Sequence, residues 1–404
     1  MSELPGPPLR IAVLGDFDGP HTRAWVQTFV ERGHDVHAIS YYAPRTELDG
    51  LTLHVLNEAR RTMVGDQHAG RLPSSGRGQG LKKLVPPNLL RVINATRYRR
   101  AGLRRLLEEI RPDVFHAHYA VEHGFYGAFA GYHPYVISAW GSDLLVESQK
   151  APGRRIASWA LSKADLVTGN DGSLIRRAVE LGVAPEKAAV VHLGIEKAFL
   201  DAGAFSVNLR EDNASPLAII SDRAIEPLYN IDTLLEAFAD VRRGSPELRL
   251  IVAGTGSQVE LRMAHALAKL DLARSIDFAG HLDEEILAQR LAQSHIYVSV
   301  PSSDSLALSN LEAMAAGAFP IVSDLPSVDG WVMDGINGLR VPAGDARALA
   351  AAIRRVLGDP ELRRTAAETN RTLVEARGLR EPNMLLMERH YYRLAGHPIE
   401  DQAI

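Results

Sequence analysis

Cysteine is absent from all 404 residues, which excludes a disulfide framework, thiolate metal ligation and a cysteine nucleophile, and fits a reducing compartment. No uninterrupted run of about 18 apolar residues occurs, so no membrane-spanning helix is expected. The opening stretch MSELPGPPLR has no apolar core of the kind found in signal peptides or anchors. A basic excess is missing too. The formal net charge is −4, which argues against a nucleic-acid binder. The first strand is not followed by the G-x-G-x-x-G of a dinucleotide fold; Gly15-Asp-Phe-Asp-Gly19-Pro20 stands there instead. What remains is an ordinary globular composition, 46% hydrophobic and 23% charged, and a cytoplasmic protein, at most peripheral to the inner face of a membrane, is expected.

The length predicts two α/β domains of roughly 200 residues each. Arg10 to Gly15 reads as a strand, Asp16 to Pro20 as a loop, Thr22 to Arg32 as a helix closed by Gly33, and Val36 to Ser40 as the next strand. That is a doubly wound opening. Further strands are predicted at Val114–His118, Tyr135–Ala139, Leu166–Gly169 and Val190–His192. The polar, strand-poor stretch Leu200–Pro216 reads as a linker. The same grammar then restarts, with strands beginning near Leu217, Leu248, Ile276, Ile296 and Pro320, and helices at Ile231–Arg242, Gln258–Ala268, Leu308–Ala316 and Ala346–Leu357. The expected domains are 1–205 and 206–380, followed by an amphipathic C-terminal helix in 381–404. Ligands are expected at the carboxyl ends of the strands, in a cleft between the two domains.

One segment breaks this pattern. Between residues 59 and 107 there are twelve basic side chains, from Arg60 to Arg105, against the single acid Asp66. A solvated loop leading into a surface helix would explain it. So would a patch attracted to an anionic membrane, since each basic residue near such a surface contributes about 1 kcal/mol.

The densest chemical signal runs from Tyr297 to Pro342. A strand ends near Val300, a polar turn carries Asp304, and a helix rich in small residues starts near Ala307–Ser309. Exposed N–H groups at a helix start, with Leu308 and Ser309 in its first turn, suit an anion. Glu312 follows one turn inside. Asp304 and Glu312 are two carboxylates spaced to bracket a polyhydroxylated ligand.

The phrase DSLALSNLEAMAAG, followed in order by SDLPSVDGW, DGINGLRVP and GDARALAAAI, resembles the signature of the family 4 retaining glycosyltransferases. These have the GT-B fold, two Rossmann-like domains facing across a cleft. The family usually carries Glu-Gly where this chain has Asp304-Ser305. The resemblance implies that Arg223, after the first strand of the second half, neutralises the donor diphosphate. A lysine usually assists a few residues later, and Tyr229 stands there instead. Alternatively, Arg223 is simply paired with nearby Glu226. The resemblance also implies that Gly254 belongs to a turn near the diphosphate, and that the backbone of His281 and Leu282 reads the nucleobase.

In the first half, alternation puts Val114, His116 and His118 on one face of a strand. His118 resembles the family's second H-x-H histidine, which faces the donor sugar. Trp140-Gly-Ser-Asp143 and loop residues Asp16 and Gly19 are expected around the acceptor or sugar pocket, although Trp140 could equally be core.

The implied reaction moves a hexose from a UDP- or GDP-sugar to an unspecified acceptor with retention. Asp304 would hold sugar hydroxyls, Glu312 the ribose, and Arg223 the departing diphosphate. No Asp-x-Asp pair lies beside that diphosphate, so no metal cofactor is expected. Two other readings stay open: a different GT-B enzyme such as a nucleotide-sugar epimerase, and a degenerate protein that binds nucleotide sugars without turning them over.

Overall fold

The computed structural model describes residues 4–56, 101–211, 217–268, 272 and 274–397. Two parallel sheets organise the chain. The first comprises β1 (Arg10–Leu14), β2 (Asp35–Ser40), β3 (Thr52–Val55), β4 (Val114–His118), β5 (Tyr135–Ala139), β6 (Leu166–Gly169) and β7 (Ala188–Val190). Its order is β3-β2-β1-β4-β5-β6-β7. The second comprises β8 (Ala218–Ser221), β9 (Arg249–Val252), β10 (Ile276–Phe278), β11 (Ile296–Ser299), β12 (Phe319–Ser323) and β13 (Leu339–Val341), in the order β10-β9-β8-β11-β12-β13. This is the expected α/β, doubly wound architecture.

The strands are short and apolar because both faces of a parallel sheet are covered. Every residue of β4, β5 and β12 is buried. In each sheet the winding reverses beside the first strand. β1 pairs with both β2 and β4, and β8 pairs with both β9 and β11. Ligand crevices in such sheets form at the carboxyl ends of the strands flanking that reversal. The fold therefore designates two places: the loops after β1 and β4, and the loops after β8 and β11.

By contacts the chain divides into one unit of residues 1–169, 174–190 and 386–404, and a second of residues 170–173 and 191–385. The boundary expected between residues 205 and 206 falls inside a helix, Ala198–Glu211, in the stretch read as linker. This helix belongs to the second unit because Phe199 and Leu200 are buried in a cluster with Leu311, Ala315 and Ala316. Gly203 lets it approach closely: a Cβ there would lie 2.5 Å from the Ala315 carbonyl oxygen. The strand expected at Val190–His192 lies slightly earlier, and β3 and β13 were not expected.

The C-terminal helix spans Arg380–Leu394; residues up to Leu385 group with the second unit and those from Leu386 with the first. Within the first unit Glu388 accepts hydrogen bonds from Arg32 Nε and Nη2 at 2.5 and 2.7 Å, and contacts His34 Nε2 at 2.8 Å. Its side chain is 1% exposed. Tyr391 meets the indole N–H of Trp25. Most of the basic segment expected at 59–107 lies outside the described residues. Its end is helical, with Leu103 and Leu107 buried and Arg104 exposed beside Glu108. Among the described residues no helix is long and apolar enough to cross a membrane.

Candidate functional site

In the second unit, the loop after β8 carries Asp222, Arg223 and Tyr229. Arg223 Nη2 donates to Asp304 Oδ2 at 2.6 Å, and Nη1 to Ser309 Oγ at 2.8 Å. Its guanidinium lies 4.5 Å from the centre of the Tyr229 ring. Tyr229, which stands where the resemblance implied a lysine, therefore serves as a platform under the cation. Glu226, the alternative partner for Arg223, instead accepts from Ser257 N–H and Oγ–H.

The helix Leu308–Ala316 starts at Ala307 with no side-chain cap. Its first-turn N–H groups therefore have no side-chain acceptor there, beside the Arg223 cation. Leu308 and Ser309 occupy that first turn. Burial works against the charge on Arg223, but Asp304, Tyr297 and Asp222 together outweigh it and raise its pKa. Asp304 is itself raised, because burial exceeds the opposing pull of Arg223. Glu312 is raised furthest. Burial, with Asp222 and Glu284 nearby, pushes its carboxyl up to about 8.

Gly254 owes its identity to the backbone beside it. A Cβ at Gly254 would lie 2.0 Å from the Arg223 carbonyl oxygen, and one at Gly256 2.6 Å from that of Ile225. These glycines let the loop after β9 close on the loop that carries Arg223. His281 and Leu282 follow β10, at the same carboxyl edge of the sheet.

Several residues that shape this site were not singled out from the sequence. Asp222 accepts from the buried Tyr297 hydroxyl at 2.9 Å. The Leu306 N–H donates to Asp171 Oδ2 at 2.9 Å, and its carbonyl accepts from Asn170 Nδ2 at 2.6 Å. Asn170 and Asp171 thereby fix the turn leading from Asp304 into the helix. Their adjacency to the end of β6 was visible in the sequence, but their partner more than a hundred residues away was not.

In the first unit, the loop Gly15–Pro20 and the turn after β4 surround a hollow of about 360 Å³ lined by Asp16, Gly19, His118, Tyr119, Glu122, Trp140 and Glu147. A neighbouring hollow of about 280 Å³ shares Asp16, Glu122 and His123 and adds Asp18 and Tyr41. His118 is 1% exposed. Its Nδ1 lies 3.3 Å from Thr22 Oγ1, while Nε2 has no partner. Burial, then the nearby His116, His123 and His21, hold it well below the usual imidazole range. It is neutral at pH 7. His116 is pushed down to about 3 by burial, with its nitrogens 2.6 Å from Tyr391 OH and 2.8 Å from Ser138 Oγ.

Trp140 joins a packed aromatic group, edge-on to Trp25 and His118 and stacked on His21, while also lining the hollow. Asp143 differs from expectation. It is 0% exposed, and its carboxylate accepts from the backbone N–H groups of Ala120, Trp140, Gly141 and Leu144. These bonds tie the turn after β5 together, so Asp143 lies behind the hollow. Tyr119 has φ 75°, a strained conformation for a bulky residue, and donates its hydroxyl proton to Glu147.

Among the described residues no group of three or more His, Asp or Glu side chains is placed to hold a metal ion.

Each half of the chain matches a known family. Residues 19–194 match the family described as glycosyl transferase 4-like domain, and residues 207–373 match glycosyl transferases group 1. The chain is a GT-B fold glycosyl transferase related to both families. A glycogen synthase of Mycobacterium tuberculosis is 28% identical over 284 residues, which are 65% of each chain. The chain thus spans just under two thirds of that relative. Two solved structures share the fold across nearly the whole length. One is Anabaena HepE crystallised with UDP, with TM-score 0.73 and 16% identity over 96% of this chain and 100% of that one. The other is a sucrose-phosphate synthase of Thermosynechococcus elongatus, with TM-score 0.72 and 19% identity over 96% and 99%.

Proposed function

We propose that this glycosyl transferase moves a hexose from a UDP-sugar to a hydroxyl acceptor with retention of anomeric configuration. The observation that carries the reading is the Arg223–Asp304–Ser309 constellation at the uncapped start of the helix bearing Glu312. Such a constellation suits a diphosphate beside a sugar: a fixed cation and free N–H groups meet developing negative charge, and carboxylates accept from hydroxyls. The choice of uridine is supported by the UDP in HepE.

In this reading Arg223 and the N–H groups near Leu308–Ser309 stabilise the diphosphate as its bond to the anomeric carbon breaks. Arg223 must then release part of its hold on Asp304, which turns to the sugar hydroxyls. Glu312 meets the ribose, and at neutral pH it does so largely protonated, able to donate as well as accept. Gly254, His281 and Leu282 line the diphosphate and base positions, and Tyr229 supports Arg223. His118 offers the sugar its unpartnered nitrogen, while Asp16, Gly19 and Trp140 border the acceptor. The acceptor hydroxyl bonds to the anomeric carbon and its proton passes to the departing diphosphate, so no metal and no separate base are needed.

Titration calorimetry with UDP, GDP and ADP and their glucose, galactose and mannose conjugates tests this, with Glu312→Ala as control. Tight binding confined to uridine compounds and weakened in the variant is expected, and it should persist in EDTA. Binding to none of them, or binding indifferent to Glu312, would sink the donor site.

A second reading, binding without transfer, is favoured by one feature. Arg223 is the only Lys or Arg in the loops after β8, β9 and β11, and Asp222 lies beside it. UDP-sugar that binds but is neither transferred nor hydrolysed would decide for it.

A further inference from the structure

In the second unit three buried polar atoms find no hydrogen-bond partner in the protein: Asn310 Oδ1, Ser323 Oγ and Ser327 Oγ. All three residues line one small hollow, together with Asp304, Ser305 and Ser299. They are 5%, 1% and 3% exposed. The hollow lies where two neighbouring strands end. Ser299 closes β11 and Ser323 closes β12. Asn310 sits in the first turn of the helix Leu308–Ala316, and Ser327 in the short turn Pro326–Val328.

A buried polar atom left unpaired is destabilising. One such atom can be a fault of packing, but three around one space point to a common partner. The space is about 10 Å³, room for about one water molecule and too little for a sugar ring or a phosphate. The chemistry agrees. The two serine hydroxyls can donate to a water oxygen, and the Asn310 carbonyl and the Asp304 carboxylate can accept its two protons. A cation fits less well. Asp304 is the one carboxylate among the described lining residues, and it is already paired with Arg223 at 2.6 Å.

We propose that this hollow holds a single buried water, and that the water and the three side chains around it keep Asp304 in place for the donor sugar. The inference rests on the transferase reading above and adds a positioning device behind its donor site. When the diphosphate draws Arg223 away, Asp304 loses its direct partner and must still present its oxygens to sugar hydroxyls. A carboxylate accepts at about four positions, so it can exchange Arg223 for a sugar hydroxyl while keeping the water. Through that water the turn is tied to the end of β12 and to the helix start, so the exchange becomes a pivot about a fixed point. Asn310, Ser323 and Ser327 are positioning residues whose side chains act through Asp304.

High-resolution crystallography and calorimetry on the full chain test this, with Ser323→Val as the variant. Valine fills the space with methyl groups and removes a donor. In the unaltered chain a single density peak should lie within about 3.2 Å of at least three of the four named groups, and it should be absent in S323V. The variant should bind UDP-glucose or UDP-galactose, whichever the unaltered chain prefers, about three- to tenfold more weakly, the size of one hydrogen bond. Its affinity for UDP alone should stay within about twofold. Ser327→Ala, which removes a donor without added bulk, serves if the valine variant does not fold. No density, a cation in its place, side chains turned to pair with one another, or a loss shared equally by UDP and its sugars would overturn the proposal. If no nucleotide binds the unaltered chain, the donor reading fails, and the density alone then decides for or against the water.

Discussion

The two sheets wind the same way and put their crevices at the same topological place, yet the crevices differ in what backs them. Behind the first lie neutral rings: His116 and His118, which burial keeps uncharged, among Trp25, Trp140 and Tyr391. In the second the wall holds a cation, Arg223, set between Asp304 and Ser309 with acids on either side. Fold alone fixes where a ligand sits, and the side chains decide whether the site surrounds an uncharged molecule or manages a charged one.

The sharpest contrast is in stability. Removing one partner of a buried ion pair leaves the other uncompensated, so Glu388→Ala, which strands Arg32, should lower stability by about 3–5 kcal/mol. In the second unit Glu196→Ala frees Arg380 from a half-exposed pair and should cost about 1 kcal/mol or less. Urea unfolding of the two variants measures both, and equal losses would break the comparison.

In turnover the order reverses. Arg223→Ala should reduce transfer by about 10²- to 10³-fold, the range found when one preorganised donor to developing charge is removed. His118→Ala, which touches no developing charge in the proposed reaction, should lose less. Assay of UDP release with each variant gives the ranking.

Opposite pH slopes come next. His116 is depressed from 6.5 to about 3 in the fold, so the unfolded chain binds more protons between those values. Stability therefore rises with pH across that window and its full contribution is present above 6.5. Glu312 is raised from 4.5 to about 8, so the folded state binds more protons there. Its contribution is full below 4.5 and is lost as pH rises to about 8. Melting curves from pH 4 to 9 should show Glu312→Gln flattening the alkaline decline and His116→Asn the acid rise.

The smallest expected effect concerns Tyr229. If its ring supports Arg223, Tyr229→Phe should keep transfer within about twofold, while Tyr229→Ala loses about 0.5–1 kcal/mol of donor affinity. A Phe variant as weak as the Ala variant would show that the hydroxyl matters instead.

Much of this was legible in the sequence for local reasons. Strands buried on both faces read as apolar runs, and the helix Leu308–Ala316 announced itself by small residues closed by Gly317. Asp304 and Ser309 were readable from the turn and helix start, Arg223 was implied by the family resemblance, and the structure brings the three into contact. What escaped reading depended on distant partners. Asp143 was read as a residue of the acceptor or sugar pocket, and four backbone N–H groups close on it instead. The stretch after Leu200 looked like a linker because its polar residues hide that Phe199 and Leu200 have a bed to lie in. Asp222 and Tyr297, 75 residues apart, become meaningful only as a pair.

The helix Arg380–Leu394 has a consequence for how the protein comes into being. Trp25 bonds to Tyr391 across 366 positions, and Arg32 to Glu388 across 356. Translation usually lets the earlier domain fold while the later one is still being made. Here Trp25 and Arg32 of the earlier-made sheet gain these buried partners only once residues 388 and 391 have been made. A ribosome stalled before residue 386 would carry a second unit with nearly all its parts and a first unit still unfinished.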